Sequence, residues 1–183
     1  MATPQDVIGF WTQAGPEKWF AKSDAFDQAI RLRFEPSHFA AARGEHDAWT
    51  STPEGVLALL LLLDQFPRNL FRNSGHAFAT DPLARKVARE ALAAGFDKML
   101  EPKLRPFLYL PLQHSEALAD QDQALAHFNA LAEEQGDPEI AKWAKHHHAV
   151  IARFGRFPHR NRQLGRKTTA EEQAFLEEDG FAG

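Results

Sequence analysis

The segment RFGRFPHRN, Arg153 to Asn161, sets three arginines and a histidine among two phenylalanines and a proline. Between Arg153 and Lys167 there are six Lys or Arg and no acid, whereas the rest of the chain carries 15 basic against 25 acidic residues. A guanidinium is a planar fork that donates hydrogen bonds in pairs and does not titrate, so Arg153, Arg156 and Arg160 suit a carboxylate or a phosphate. The flanking rings Phe154 and Phe157 would lower the local dielectric and strengthen each such contact. A second segment, DQFPRN (Asp64 to Asn69), also runs through Phe-Pro into Arg-Asn. Arg68, Asn69, Arg153, Arg156, Arg160 and Asn161 are therefore the candidate anion ligands. The competing reading is structural: cations at helix ends offset the macrodipole and tie down free carbonyls. Asp64 with Arg68, and Asp81 with Arg85, have the i, i+4 spacing of helix ion pairs. Nucleic acid is disfavoured, because the positive charge is local and the remaining net charge would repel phosphates.

The segment FLYLPLQHSE, Phe107 to Glu116, supplies the candidate proton-transfer groups. Pro111 is expected to stop or kink an apolar helix and leave His114, Ser115 and Glu116 at a corner. His114 and Glu116, with His159 from the arginine segment, have the residue types of an acid and a base, and Tyr109 would join the dry wall of such a site. The structural alternative makes Ser115 a helix N-cap and Glu116 a partner of the positive helix start. His146, His147 and His148 do not make a metal site, since successive helical residues point about 100° apart. A composite of His114, Glu116, His147 and His159 has suitable donors for zinc or iron, but no spacing demands it. No metal and no cofactor is expected. A glycine-rich phosphate loop, a G-x-S-x-G elbow and an H-E-x-x-H pair are all missing.

These residues must be positioned by helices. Leu and Ala number 50 and Val and Ile only 8, a balance that favours helix because straight side chains lose little rotamer freedom there. Apolar residues recur at helical spacing: Phe26, Ala29, Ile30 and Phe34; Leu83, Val87, Ala88 and Leu92; Leu118, Leu125, Phe128 and Leu131; and Ile140, Trp143, Ala144, His147, Val150, Ile151 and Phe154. Ser51 with Glu54 and Thr168 with Glu171 have capping-box spacing, and Gly95 and Gly155 are placed to end helices in the left-handed conformation. The run LALLLLLD is apolar on every side, so residues 55–66 are expected to form a buried central helix. The prediction is a single all-α domain over residues 1–183, a stack of antiparallel helices. Both Phe-Pro segments are read as corners where long helices stop. The chain lacks cysteine and has no run long enough to cross a bilayer, and its first residues do not resemble a signal peptide, so a soluble cytoplasmic protein is expected.

Four motifs in order, LLLDQFPRNLFR, HAFATDPLAR, FLYLPLQHSE and RFGRFPHRNRQLGR, resemble a bacterial family known as domain of unknown function 924. The likeness runs from Phe10-Trp11 and Trp19-Phe20 to EEQAFL, and departs at Leu112-Gln113, where the family pattern more often carries Phe-Met. The family is similar to tetratricopeptide-like helical proteins, which implies a stack of helix pairs; it implies no reaction. Three functions remain. One is a pocket in which Arg68, Asn69, Arg153, Arg156, Arg160 and Asn161 hold a small anionic metabolite, with His114, Glu116 and His159 moving protons. The second is a non-catalytic scaffold for an acidic peptide. The third is an internal network in which arginines and acids saturate one another.

Overall fold

The structure, a computed structural model, describes residues 1–179. Helices account for the regular structure, and no strand occurs among the described residues. None of these helices is long and apolar enough to cross a membrane. The chain divides into two compact units, one of Met1–Arg72 with His76–Pro111, the other of Asn73–Gly75 with the described part of Leu112–Gly183.

The first unit contains α1 (Pro4–Ala14), α2 (Pro16–Trp19), α3 (Asp24–Ala42), α4 (Pro53–Leu60), α5 (Phe66–Leu70) and α6 (Asp81–Ala93), with most of α7 (Pro106–Gln113). Local chemistry sets the helix starts. Thr3 and Asp6 form a capping box at α1, and Ser23 caps α3. At α4 the cap is Thr52, whose hydroxyl accepts from the Gly55 N–H, and Ser51 instead donates to the Ala48 carbonyl. The box expected at Ser51 and Glu54 does not form: Pro53 fits the first helical position and fixes the cap at Thr52, and the N3 residue is then Gly55, which has no side chain to complete a box. Gly55 has no room for a side chain, since a Cβ there would lie 2.2 Å from the Trp49 carbonyl oxygen. Aromatic rings fill the centre: Trp11, fully buried, stacks on Trp19 at 5.9 Å and meets Phe66 and Phe107 edge-on or tilted at 5.6 Å each.

The expected central segment is buried from residue 55 through 67, with α1 and α6 against α4 and α3 against its continuation. It is not a uniform α-helix. Leu61–Gln65 form a π-helical turn in which the Phe66 N–H donates to Leu61 O, five residues back. Pro67 follows and has no N–H to give to Leu63. Two carbonyls, Leu62 and Leu63, are therefore released from the helix ladder in a fully buried place. Side chains from two neighbouring helical segments take them: His38 Nδ1 donates to Leu62 O at 2.8 Å and Thr80 Oγ1 to Leu63 O at 2.5 Å. Because a carbonyl only accepts, His38 carries its proton on Nδ1; burial pushes its pKa down. Helix α5 then continues to Leu70, so Phe66-Pro67 is not the helix stop that the sequence suggested. Thr80→Val should cost about 1–3 kcal/mol by leaving Leu63 O without this donor, read as a lower urea midpoint at unchanged m-value.

In the second unit, α8 (Leu118–Gln135) packs along α9 (Lys142–Phe154), and α10 (Ala170–Asp179) packs on the short turn Pro158–Arg160. The short α8–α9 connection and the contact of His148 with Asp122 at 2.8 Å make that pair antiparallel. Its core includes Val150, Ile151 and Phe157, with Phe154 and Phe175 packed against them. Trp143, read as part of the buried stripe of α9, is 61% exposed. Gly155 ends α9 at φ 68°, as its position predicts.

Candidate functional site

The chemistry-bearing residues of the second unit lie on three stretches: the corner after α7, the 153–167 segment and the start of α10. Helix α7 passes through Pro111 and ends at Gln113. Gln121 ties the corner down by donating from Nε2 to Gln113 O and Ser115 O, both at 2.6 Å. Ser115 is not the N-cap of α8, which is Ala117. Its hydroxyl donates to Asp120 at 2.6 Å and accepts from the Ala117 N–H.

Glu116 reaches from this corner to the arginine segment. It accepts from the Phe157 N–H at 2.8 Å and from both Nη atoms of Arg166 at 2.7 and 2.9 Å. Arg166 also donates to Phe157 O at 3.0 Å and to Asn161 Oδ1 at 2.9 Å. Asn161, fully buried, passes the network on by donating to Glu172 at 3.2 Å. Glu172 accepts Arg156 through a fork at 2.6 and 2.9 Å and the Thr169 N–H at 2.8 Å. The Glu172 N–H donates in turn to Thr169 Oγ1, so the capping box of α10 is Thr169 with Glu172, one residue beyond the Thr168 and Glu171 expected. Arg160 is buried, donates to His114 O at 3.0 Å and lies 4.5 Å from the Phe157 ring centre. Arg153 is exposed and meets Glu171 at 3.0 Å.

The electrostatics follow from these partners. Burial alone would raise the Glu116 carboxyl, but the Arg166 fork and the Phe157 N–H outweigh it and hold the group below its ordinary range. Glu116 is thus a carboxylate near neutrality with both oxygens occupied, a poor starting point for a general acid. His147 has a pKa lowered to about 3, through burial first and then the neighbouring His114, and its Nδ1–H donates to Trp143 O at 2.8 Å. It remains neutral at physiological pH. The ring of His159 lies 5.5 Å from that of Phe157, and the rings of His114 and His147 are 6.3 Å apart. Among the described residues no group of three or more His, Asp or Glu is placed to hold a metal ion.

The other expected ligand residues belong to the first unit, each against a carboxylate. Arg68 forks onto Asp81 at 3.2 Å twice and reaches Asp64 at 3.3 Å. Asn69 donates to Asp27 at 2.8 Å, which also takes Arg72, and Tyr109 donates to Asp97 at 2.9 Å. Sequence reasoning missed Arg166, Glu172 and Gln121 as members of these networks; the Thr169-x-x-Glu172 spacing was the available signal for one of them.

A different place in the first unit has the opposite character. Helices α1 and α3 run antiparallel, as the Ala2 N–H bond to Ser37 at one end and the Phe10–Phe26 stacking at 5.4 Å require. An open cleft of about 360 Å³ lies along them, floored by Phe10, Phe26 and Ala29 and edged by Lys18, Ser23 and Arg33. Among the described residues no carboxylate lines it. The Arg33 guanidinium rests over Phe10 at 4.8 Å and Phe34 at 5.2 Å and has no ion pair among the described residues. The nearby Asp6 carboxylate accepts from the Thr3 N–H and hydroxyl and also feels the Arg33 charge, though without a direct ion pair.

Residues 7–180 match the family model described as "Bacterial protein of unknown function (DUF924)". A solved structure of a protein of unknown function from Agrobacterium tumefaciens is 48% identical, with a TM-score of 0.91; the match covers 96% of this chain and 97% of that one. No curated protein matches the sequence.

Proposed function

The chain belongs to the bacterial DUF924 family, whose description names no reaction, and on that premise we propose that it is a non-catalytic module that binds a small anionic ligand at the α1–α3 cleft. The observation that carries this reading is a contrast in how cations are used. Arg156, Arg166 and Arg68 have their forks turned onto carboxylates of the same chain. Arg33 and Lys18 edge a concave, partly aromatic surface without an acid in its lining. An anion entering there gains a planar fork beside an apolar wall without first breaking a carboxylate–guanidinium hydrogen bond. The 153–172 region takes the third role considered above, an internal network that joins the corner, the arginine segment and α10. His114, Glu116 and His159 are then not catalytic.

Thermal-shift measurements with inorganic phosphate and short carboxylates test the reading, since a ligand that binds only the folded state raises the midpoint. Wild type and Arg156→Gln should both be shifted upward by an effective anion, the variant from a lower starting midpoint, and Arg33→Gln should lose the shift. A shift retained in Arg33→Gln and abolished in Arg156→Gln would return the site to the arginine segment.

A further inference from the structure

We infer that the cleft selects an elongated dianion, an α,ω-dicarboxylate with an apolar spacer, over a monocarboxylate of the same length. This rests on the anion-binding reading above and deepens it. The argument begins with where the two cations stand. Lys18 and Ser23 belong to the connection between α1 and α3, so they sit at the end where the two helices are joined. Arg33 lies ten residues along α3 from Ser23, which is about 15 Å of helix axis at the usual rise. The Arg33 guanidinium itself turns back over Phe10, so the two positive groups line one cleft from different elements, Arg33 from α3 and Lys18 from the connection.

Much of the remaining lining is apolar, with Gln13 the polar exception. Phe26, Ala29 and Arg33 follow one another at helical spacing on α3, and Phe10 and Ala14 face them from α1. A hydrocarbon spacer laid along this floor removes apolar surface from water on both partners. One carboxylate meets the Arg33 fork, whose orientation is already restricted by its seat over Phe10. The other meets the Lys18 ammonium, with Ser23 beside it. A monocarboxylate of equal length would satisfy Arg33 and then press its apolar end against a hydrated ammonium and a hydroxyl, losing one ionic contact and desolvating a charge.

Isothermal titration calorimetry of the full chain with suberate, octanoate, glutarate and inorganic phosphate tests this. Suberate is expected to bind wild type about tenfold more tightly than octanoate, the size of one charge-assisted contact, with glutarate and phosphate weaker than suberate. Lys18→Gln should bring suberate to the level of octanoate, and Arg33→Gln should weaken both by about tenfold or more. Both side chains are exposed, so neither change removes packed core. Octanoate binding as tightly as suberate, or a suberate preference that survives Lys18→Gln, would overturn the dicarboxylate assignment and leave anion binding standing. Failure of all four probes to bind wild type at about 1 mM would overturn both.

Discussion

Arg68→Ala should lower the free energy of unfolding by about 3–5 kcal/mol, because it withdraws the guanidinium shared by two buried carboxylates. The side chains of Asp64 and Asp81 are 1% and 5% exposed, and that of Arg68 only 22%. Water therefore cannot readily replace the lost fork. For a chain of this size the thermal midpoint should fall by about 6–20 °C. Arg68→Lys should recover part of the loss, since an ammonium restores the charge but cannot face Asp81 with two parallel donors. The exposed pair Lys142 with Glu139 provides the control: its side chains are 64% and 71% exposed, and Lys142→Ala should change stability by less than about 0.5 kcal/mol. Equal effects at the two sites would show that burial of the Asp64–Arg68–Asp81 group contributes nothing.

Glu172→Ala should be the second severe change, at about 2–4 kcal/mol, since one side chain closes the α10 capping box, receives the Arg156 fork and holds Asn161. It also carries a pH signature. The Arg156 hydrogen bonds, with the Thr169 N–H and against the opposing cost of burial, hold the Glu172 carboxyl at about 2 in place of 4.5. A carboxyl depressed on folding stabilises above its unfolded value, and that stabilisation is lost as pH falls from 4.5 toward about 2. Glu116 shifts in the same direction and contributes in the same acid range. His147 acts earlier. Its folded value of about 3 lies below 6.5, so the unfolded chain takes up the proton first and stability declines as pH drops from 6.5 toward 3. Wild type should thus weaken in two stages on acidification, and Glu172→Ala should flatten only the lower one. Urea midpoints between about pH 7 and about pH 3 report both; a variant whose midpoint falls with pH as steeply as wild type in the lower range would refute the assignment.

The helical architecture was legible because it depends on local signals. The all-round apolar run announced the buried segment at 55–66, Gly155 announced the end of α9, and four motifs in order pointed to the family that the comparison finds. The π-helical turn was not read, although Pro67 within an apolar helix already implied a carbonyl at Leu63 in need of another donor. Periodicity cannot find such a turn, since an all-apolar run has no phase to slip. The partners of the arginine segment were not legible for a different reason. Its lack of acids is a property of sequence distance, and Glu116, Glu171 and Glu172 arrive from other stretches once the chain folds. Conversely, nothing in the sequence singles out Arg33 or Lys18, because only the packing of α1 on α3 gives them a common hollow.

The π-helical turn also fixes a length. It holds one more residue than an α-helical turn would, and removing one from Leu61–Gln65 would restore a regular helix while rotating everything beyond it by about 100°. Arg68 would swing away from Asp81 and Asn69 from Asp27, and only the carbonyl opposite Pro67 would stay free, so His38 and Thr80 could no longer both be bonded. A one-residue change of length in Leu61–Gln65 therefore costs contacts made on both sides of it.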